Sequence, residues 1–281
     1  MGAAQLVEIR ETVKEIVVPV YGQTEIAAER RNQKGAQALR LAWLAGDRCH
    51  APFDRGNRGS GHRSLQNSPI EVHSLLMTEL WRGAAPLILA SKSAARQRLL
   101  TAAGVPFESH AAAIDERAIE ALLMASGAGG GAVALHLSRA KALQVSAERP
   151  GRLVTGADQT LCLEGRVLGK PADRAAAKAQ LEAMSSRTHE LHSGCCVVRD
   201  NAILFETVCV ARLSCRRLSP AFITAFMAQA DDALLASAGA YQLEGLGIHL
   251  FESIEGDHAT ILGLPLLPLL KFLREEGSLL S

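Results

Sequence analysis

Short apolar runs alternate with amphipathic segments from Pro86 onward. Residues 87–90 are apolar throughout and predict a short buried strand. After it, Ser93 as an N-cap and Gly104 as a C-terminal stop bracket a helix of about three turns. Residues 105–109 then predict a second strand. The pattern therefore places the start of the ordered region at Pro86.

The alternation continues along the rest of the chain. Asp115 and Glu116 form a loop acid pair in front of a helix at residues 118–125, and the glycines at 127–131 indicate a flexible break. Further helices are predicted at residues 132–147, from a cap at Asp173 to Met184, from Ser219-Pro220, and at residues 265–276. Long strands are predicted at residues 188–199 and 202–213. No internal repeat is visible in this order.

Residues 153–171 place a carboxylate and a lysine on one short β-hairpin. The first strand is predicted to end at Gly156, so that Asp158 falls at a strand end, where a polar side chain can face a cleft. A second strand at residues 160–163 turns and leads back to Lys170, which has glycine and proline on its two sides. An acid and a lysine so placed suit a metal-bound or phosphorylated ligand. A surface turn with an incidental ion pair explains this stretch equally well.

A second candidate lies where the first strand runs into the first helix. Ser91, Ser93 and Arg96 surround a helix N-terminus, where free backbone N–H groups and the helix dipole attract anions. A cation in the first helical turn is unfavourable unless an anionic ligand offsets it, so Arg96 indicates a phosphate. Lys141 is a further phosphate candidate, although the helix pattern alone favours an ordinary solvated lysine.

Composition narrows the classes of function. Of the 281 residues 48% are hydrophobic, which is enough for a core, and the formal net charge is only +1. A net charge this close to zero creates no overall electrostatic attraction to nucleic acid or to an anionic membrane. Phosphate binding must therefore come from locally placed lysines and arginines. The chain has no apolar run of about 18 residues to cross a bilayer. Glutamates near the N-terminus argue against a secretory signal.

The six cysteines form no CxxC pair. They lie mostly in apolar, strand-like surroundings, as expected for buried thiols in a reducing, cytoplasmic compartment. Four of the residues between 189 and 196, namely His189, His192, Cys195 and Cys196, are of the types that hold zinc. Alternation along a strand sends His189 and His192 to opposite faces, so we expect them to be sheet residues without a shared ion.

Residues 1–76 differ from the remainder of the chain. They carry mixed charge and a stretch at 54–68 that is rich in Gly, Arg, Asn and Ser and lacks apolar periodicity. We expect a disordered tail, or a start assigned too early with Met77 as the initiator, and a regulatory or targeting arm is the alternative. The predicted organisation is an N-terminal extension over residues 1–85 and one domain over residues 86–281.

The chain also resembles the Maf family of nucleoside triphosphate pyrophosphatases. The resemblance covers about residues 86–276 and rests on several motifs in one order: LILASKSAARQRLL, AIDE, LSRAKA, GADQTLCLEGRVLGKP, SSRTHELHSG and AGAYQLEGLGIHLFESIEGDHATILGLPL. It implies a three-layer α/β fold, with a twisted mixed sheet and a cleft between two lobes, similar to inosine triphosphatase-like proteins. It also implies house-cleaning hydrolysis of a nucleoside triphosphate to the monophosphate and pyrophosphate with a divalent metal, Mg²⁺, Mn²⁺ or Co²⁺.

Carried over by position, the resemblance assigns a role to each candidate. Asp158 matches the catalytic acid, either as proton acceptor for the attacking water or as a metal-holding carboxylate, and Glu116 is a weaker metal candidate. The phosphate-binding set comprises Ser91, Ser93, Arg96, Lys141 and Lys170. A catalytically silent nucleotide-binding protein of cell-division control is the alternative class. A homodimer is compatible with either.

The remaining positions bear on the nucleotide base. Ala94 and Ala95 replace the usual proline and an arginine or tryptophan of the family, which removes a side chain expected near the base. Gln159 and Glu244 resemble the branch that acts on 7-methyl-GTP, with dTTP or UTP as the alternative substrates. Guanine presents two adjacent donors that the Glu244 carboxylate can accept together. Methylation at N7 adds a positive charge that favours this carboxylate further.

Overall fold

The computed structural model describes residues 79–231, 234 and 237–281. The expectations for residues 1–76, including a start at Met77, lie outside these described residues. The strands are β1 (Leu87–Leu89), β2 (Phe107–Ser109), β3 (Val154–Leu163), β4 (Arg166–Leu168), β5 (Thr188–Arg199), β6 (Ala202–Cys215) and β7 (Phe251–Glu255). The helices are α1 (Ala94–Ala102), α2 (Glu116–Ala125), α3 (Gly130–Glu148), α4 (Arg174–Met184), α5 (Pro220–Gln229), α6 (His258–Ile261) and α7 (Leu266–Glu275). Two 3-10 segments lie at Ala238–Ala240 and Leu246–Leu250.

The strands form one mixed sheet in the order β2-β1-β3-β5-β6-β7, with β4 paired to β3. β1 runs parallel to both β2 and β3, whereas the pairs from β3 to β7 are antiparallel. β3 pairs with β5 along its whole length, from Val154 opposite Val198 to Leu163 opposite His189. β3 therefore lies in the middle of the sheet, between β1 and β5.

Helices cover both faces of the sheet. On one face, α3 packs Ala142 against Val154 and Val198. On the other face, α1 and α7 pack against the alternate residues of the same strands, as Leu100 and Val197 illustrate. The period of two along a strand requires this division between the faces. The arrangement confirms the predicted three-layer α/β fold.

The face that carries α1 and α7 also carries α4 and α5, and its apolar core is divided. Ala157 of β3 belongs to the cluster around α1 and α7, and Leu161 belongs to the cluster around α4 and α5. Gln159 lies between these two residues and points to the same face. On this face, Gln159 of β3 thus lies between two apolar clusters.

The sequence-based prediction is wrong about where the first strand of residues 153–171 ends. The strand runs unbroken from Val154 to Leu163, so Gly156 does not end it, and Asp158 lies within the strand rather than at its end. A Cβ built on Gly156 would lie 2.0 Å from the carbonyl oxygen of Ser138 on α3. The glycine therefore serves the close packing of α3 on the sheet.

Gly156→Ala is expected to lower the free energy of unfolding by about 3 kcal/mol, because the added methyl group overlaps backbone atoms of α3. Urea unfolding followed by circular dichroism measures the change. Gly169→Ala is the matched control, since nothing lies within 4 Å of its added Cβ. Equal stability of the two variants would show that α3 can move outward without cost.

Smaller corrections concern the ends of helices. The sequence places Glu116 in a loop, but it is the first residue of α2, which Asp115 caps by accepting a hydrogen bond from the Ala118 N–H at 3.1 Å. α3 begins at Gly130, inside the glycine stretch expected to break the chain. A Cβ on Gly130 would lie 2.2 Å from Cys162 Sγ, so this glycine also serves close packing.

The apolar pattern of the sequence starts at Pro86, but residues before Pro86 already contact the domain. Trp81 forms an isolated β-bridge with Leu279 and packs against the cluster around α1 and α7. The Arg82 N–H donates a hydrogen bond to Ser278 O at 2.9 Å. Residues just before β1 therefore pack beside the C-terminal end of the chain.

The described cysteines are free thiols, and Cys162, Cys195, Cys196 and Cys215 are buried. Burial raises the pKa of Cys195 to about 12, which keeps this thiol protonated. The expectation of buried thiols is confirmed for these residues. Within the part of the chain that the structure describes, no helix is long and apolar enough to cross a membrane.

Candidate functional site

The link from β1 to α1 forms a turn lined by hydroxyl groups. Ser93 is the N-cap of α1, and its Oγ accepts a hydrogen bond from the Arg96 N–H at 3.5 Å. Ser91 Oγ accepts hydrogen bonds from the Ser93 N–H at 3.2 Å and from Arg96 Nη1 at 3.1 Å. Serine suits an N-cap because its hydroxyl satisfies a free N–H of the first turn. We call this turn, residues 91–93, the serine turn.

Arg96 turns inward from the first turn of α1. Its side chain is buried, and its Nε donates a hydrogen bond to Gly263 O at 2.7 Å. Burial lowers the pKa of this guanidinium, whereas the negative charges of Asp158 and Glu116 raise it. Arg96 therefore links the serine turn to the acidic residues of the site.

A single lysine holds two carboxylates together. Lys141 Nζ donates hydrogen bonds to Asp158 Oδ1 at 2.6 Å and to Glu116 Oε2 at 2.9 Å. Asp158 and Lys141 are buried, which rules out the alternative of a solvated lysine on α3. A buried ion pair persists only where geometry and further hydrogen bonds compensate for lost hydration. We call Asp158, Lys141 and Glu116 the acidic centre.

Glu120 is a further carboxylate near this centre, and the sequence analysis missed it. It follows Glu116 by one turn of α2, so both side chains project from the same helix face. Burial raises the pKa of Glu120, and the charges of Asp158 and Glu116 raise it further, while Lys170 lowers it. The spacing of the two glutamates was the available signal in the sequence.

Gln159 points to the sheet face opposite the acidic centre, because neighbouring strand residues alternate. Its Nε2 donates hydrogen bonds to Ser193 Oγ and to Thr260 O, both at 2.9 Å. Ser193 Oγ donates in turn to Thr260 O at 2.7 Å. These bonds tie α6 to the sheet, and α6 leads directly to the Gly263 carbonyl that accepts from Arg96. Gln159 therefore supports the segment that holds the guanidinium.

Glu244 lies in the turn between the two 3-10 segments. Its Oε1 accepts a hydrogen bond from Arg98 Nη2 at 3.0 Å. Arg98 belongs to α1, the helix that begins at the serine turn, and Ala94 and Ala95 give the first turn of this helix small side chains. This hydrogen bond thus connects α1 with a segment that packs against α4 and α5.

The structure brings most of the sequence-predicted residues into one region. The residues joined by hydrogen bonds or by interacting charges are Ser91, Ser93, Arg96, Lys141, Asp158 and Glu116. Lys170 is exposed beyond β4, close enough to Glu120 for their charges to interact. Gln159 and Glu244 lie apart from the acidic centre, each with its own partners.

His189 and His192 lie on opposite faces of β5, as strand alternation predicts. His189 Nε2 lies 2.7 Å from Tyr241 Oη, whereas His192 Nε2 lies 2.9 Å from Glu190 Oε2. The two imidazoles therefore have separate partners. Among the described residues, no group of three or more His, Cys, Asp or Glu side chains is arranged to hold a metal ion.

The buried imidazole of His189 makes stability depend on pH. Burial lowers the pKa of His189 to about 4, compared with 6.5 for an exposed histidine. Between these values the unfolded chain binds the extra proton, so the folded state loses stability as the pH falls. We expect this residue alone to lower the free energy of unfolding by about 3 kcal/mol across that window.

Urea unfolding at several pH values between 7 and 4 tests the role of His189. His189→Gln keeps a hydrogen-bonding group for Tyr241 and should lose this part of the pH dependence. His249→Gln, at an exposed histidine, controls for the loss of one imidazole. Parallel pH curves for the wild type and His189→Gln would contradict the prediction.

The carboxylates of Asp158 and Glu116 fit a hard divalent cation. Both provide oxygen donors, which Mg²⁺ prefers, but Lys141 Nζ already bonds to both and repels a second cation, so a metal would need the added negative charge of a bound phosphate. Mg²⁺ commonly binds through one or two carboxylates and completes its shell with waters and substrate phosphates. The residues present therefore suit a metal that binds together with a phosphorylated ligand.

Fold and site define a three-layer α/β protein with a buried carboxylate–lysine pair beside a helix N-terminus. The chain belongs to the Maf-like protein family, which matches residues 86–276. A nucleoside triphosphate pyrophosphatase of Nitrobacter winogradskyi is 58% identical over 198 residues, 70% of this chain and 96% of that protein. A protein of the same name from Rhodopseudomonas palustris is 54% identical over 198 residues, with the same coverage. A 7-methyl-GTP pyrophosphatase of Rhizobium johnstonii is 52% identical over 193 residues, 69% of this chain and 97% of that protein.

Proposed function

We propose that this protein hydrolyses a nucleoside triphosphate to the nucleoside monophosphate and pyrophosphate. Water attacks the α-phosphorus, the bond from that phosphorus to the bridging oxygen breaks, and pyrophosphate leaves with that oxygen. The observation that carries the proposal is the buried Asp158, 2.6 Å from Lys141 and close enough to Arg96 for their charges to interact. The names of the relatives at 58% and 52% identity support the same reaction.

Cations from three separate elements would bind the triphosphate. Arg96 lies on α1, Lys141 lies on α3, and Lys170 follows β4. Preorganised cations stabilise the negative charge that develops on the phosphates during hydrolysis, and they act more strongly where water is excluded. Ser91 and Ser93 add hydroxyl groups at the helix N-terminus, where anions bind readily. This set suits an extended anion with more than one phosphate.

Asp158 serves either as proton acceptor or as metal holder in this proposal. As proton acceptor it takes a proton from the attacking water. As metal holder, with Glu116, it would bind a divalent cation, which would supply positive charge to the phosphates and make bound water more acidic. In both roles Lys141 fixes the position of the carboxylate through its 2.6 Å hydrogen bond.

A guanine-type nucleotide is the substrate that we favour, with 7-methyl-GTP as the first candidate and dTTP or UTP as alternatives. Glu244 is an acceptor that can receive the two adjacent N–H donors of guanine. The name of the Rhizobium johnstonii relative supports 7-methyl-GTP. Ala95 lacks the larger side chain expected near the base, so a broad and unselective base site is the alternative to this preference.

We place this reaction in the cytoplasm. The described cysteines are free and mostly buried. Free thiols persist in reducing compartments, whereas oxidising compartments favour disulfides. The location is therefore part of the proposal, supported by the state of these side chains.

Pyrophosphate release from a panel of nucleotides tests the proposal. GTP, 7-methyl-GTP, UTP and dTTP are each incubated with Mg²⁺, Mn²⁺ or Co²⁺, and both products are quantified. We expect monophosphate and pyrophosphate in equal amounts from at least one nucleotide. Release of orthophosphate as the first product would contradict cleavage between the α- and β-phosphates. Tight binding of nucleotides without turnover would favour the catalytically silent alternative.

A further inference from the structure

The Glu244 carboxylate is paired with a cation from a different part of the fold. Arg98 Nη2 lies 3.0 Å from Glu244 Oε1, and the two side chains are 67% and 36% exposed. α1, which carries Arg98, packs in the cluster with α7, whereas Tyr241, just before Glu244, packs in the cluster with α4. The ion pair therefore connects the two clusters at the protein surface.

The two partners differ in how firmly they are held. Tyr241 is buried, its Oη lies 2.7 Å from His189 Nε2, and its ring centre lies 5.0 Å from that of Phe251. The backbone that leads to Glu244 is thus anchored in the core. Arg98 extends from an exposed helix face, where a long side chain keeps much of its rotamer freedom. A ligand that approaches Glu244 therefore meets a carboxylate on an anchored stretch of backbone and a movable cation.

Exposed ion pairs add little net free energy, because water screens them and both side chains lose freedom. A ligand with N–H donors can therefore share the Glu244 carboxylate with Arg98 or displace it. Where the carboxylate is shared, the positive charge of Arg98 stays close to it. The pair as a whole consequently offers hydrogen-bond acceptors with little net charge.

We infer that Arg98 is a specificity-determining residue that reduces the preference of the base site for positively charged bases. The inference rests on the proposed function, in which Glu244 receives the N–H groups of the base. Neutral guanine needs only the acceptors of this carboxylate. The 7-methylguanine ring carries a positive charge, and Arg98 offsets the attraction that Glu244 would otherwise exert on it. Without Arg98, the carboxylate is uncompensated and the charged base gains affinity.

Arg98→Ala tests this inference through the ratio of kcat/KM for 7-methyl-GTP to that for GTP. The two substrates share the triphosphate, so the ratio isolates the base. At low ionic strength and below neutral pH, where 7-methylguanine keeps its N1 proton, the ratio should rise about three- to tenfold. Added salt should reduce this rise, because exposed charges are screened.

Three further variants sharpen the test. Arg98→Lys keeps the charge and should keep the ratio of the wild type. Glu244→Gln removes the carboxylate that holds the Arg98 side chain beside the base site, so adding Arg98→Ala to it should raise the ratio less than it does in the wild type. Lys271→Ala removes an exposed cation on α7, which is paired with Glu275, and controls for the loss of one positive charge.

An unchanged ratio in Arg98→Ala would overturn the inference. An equal rise in the Glu244→Gln background would also overturn it, because the effect would then not pass through that carboxylate. Failure of the proposed function has a different signature, namely no pyrophosphate from any nucleotide. The ratio of the calorimetric dissociation constants for GTP and 7-methyl-GTP reports the base preference without turnover, so the inference is decided even in that case.

Discussion

Replacing Asp158 with Asn should lower kcat for pyrophosphate release by about 1000-fold, with a much smaller change in KM for the nucleotide. The amide has nearly the same shape, but it cannot accept a proton from water and brings no negative charge to a metal. The variant should still fold, because Lys141 keeps its hydrogen bond to Glu116 at 2.9 Å. Steady-state kinetics at saturating Mg²⁺ or Mn²⁺ measures the loss.

Glu206→Gln is the matched control for Asp158→Asn. Glu206 on β6 pairs with Arg139 on α3, and the two side chains are only 23% and 13% exposed. This change also breaks a shielded ion pair between α3 and the sheet, yet it should leave turnover intact. Normal turnover by Asp158→Asn would remove Asp158 from the chemistry. An equal loss of turnover in both variants would show that a broken ion pair between α3 and the sheet is the cause, and not the loss of the Asp158 carboxylate itself.

Arg96→Met should lower kcat/KM by about 100- to 1000-fold, because a preorganised cation is lost from the phosphate side of the site. The change also removes the donors that reach Ser91 Oγ and Gly263 O. Arg96→Lys should recover only part of the activity, since one ammonium group cannot keep both of these bonds and bind phosphate as a planar fork does. Inhibition by added pyrophosphate should weaken in parallel in both variants.

Arg174→Met is the control for Arg96→Met. Arg174 is an exposed arginine whose guanidinium also donates to backbone carbonyls, with Nη1 3.0 Å from Ala230 O and Nη2 bonded to Met227 O. Its replacement also removes two side-chain bonds to the backbone, while kcat/KM should stay near that of the wild type. A similar loss of kcat/KM in both variants would show that Arg96 acts through the fold and not on the phosphates.

Local chemistry allowed much of the fold to be predicted. The N-caps Ser93, Asp173 and Ser219 start their helices as the sequence indicates, each accepting a hydrogen bond from an N–H of the first turn. These signals act within a few residues, so a sequence displays them in full. Alternation on β5 likewise separates His189 from His192 without knowledge of the neighbouring strands.

Glycine and lysine gave less reliable signals. Gly156 has the appearance of a strand end, but it lies inside β3 because α3 passes 2.0 Å from its missing Cβ. Lys141 has the pattern of a solvated residue, but it is buried against Asp158. In both positions the decisive neighbour belongs to another element, and helix periodicity carries no information about it.

The sequence by itself determined most of the strands and helices, the serine turn and the types of charged residue available for a phosphorylated ligand. The tertiary structure decided which of those charges meet. Lys141 reaches Asp158 across 17 residues, Gln159 reaches Thr260 across 101, and Arg98 reaches Glu244 across 146. Such partners are chosen by how the layers pack, because side chains interact at a few ångströms whatever their separation along the chain. For the same reason Glu244, readily interpreted as a free acceptor in the sequence, is bound to a cation in the fold.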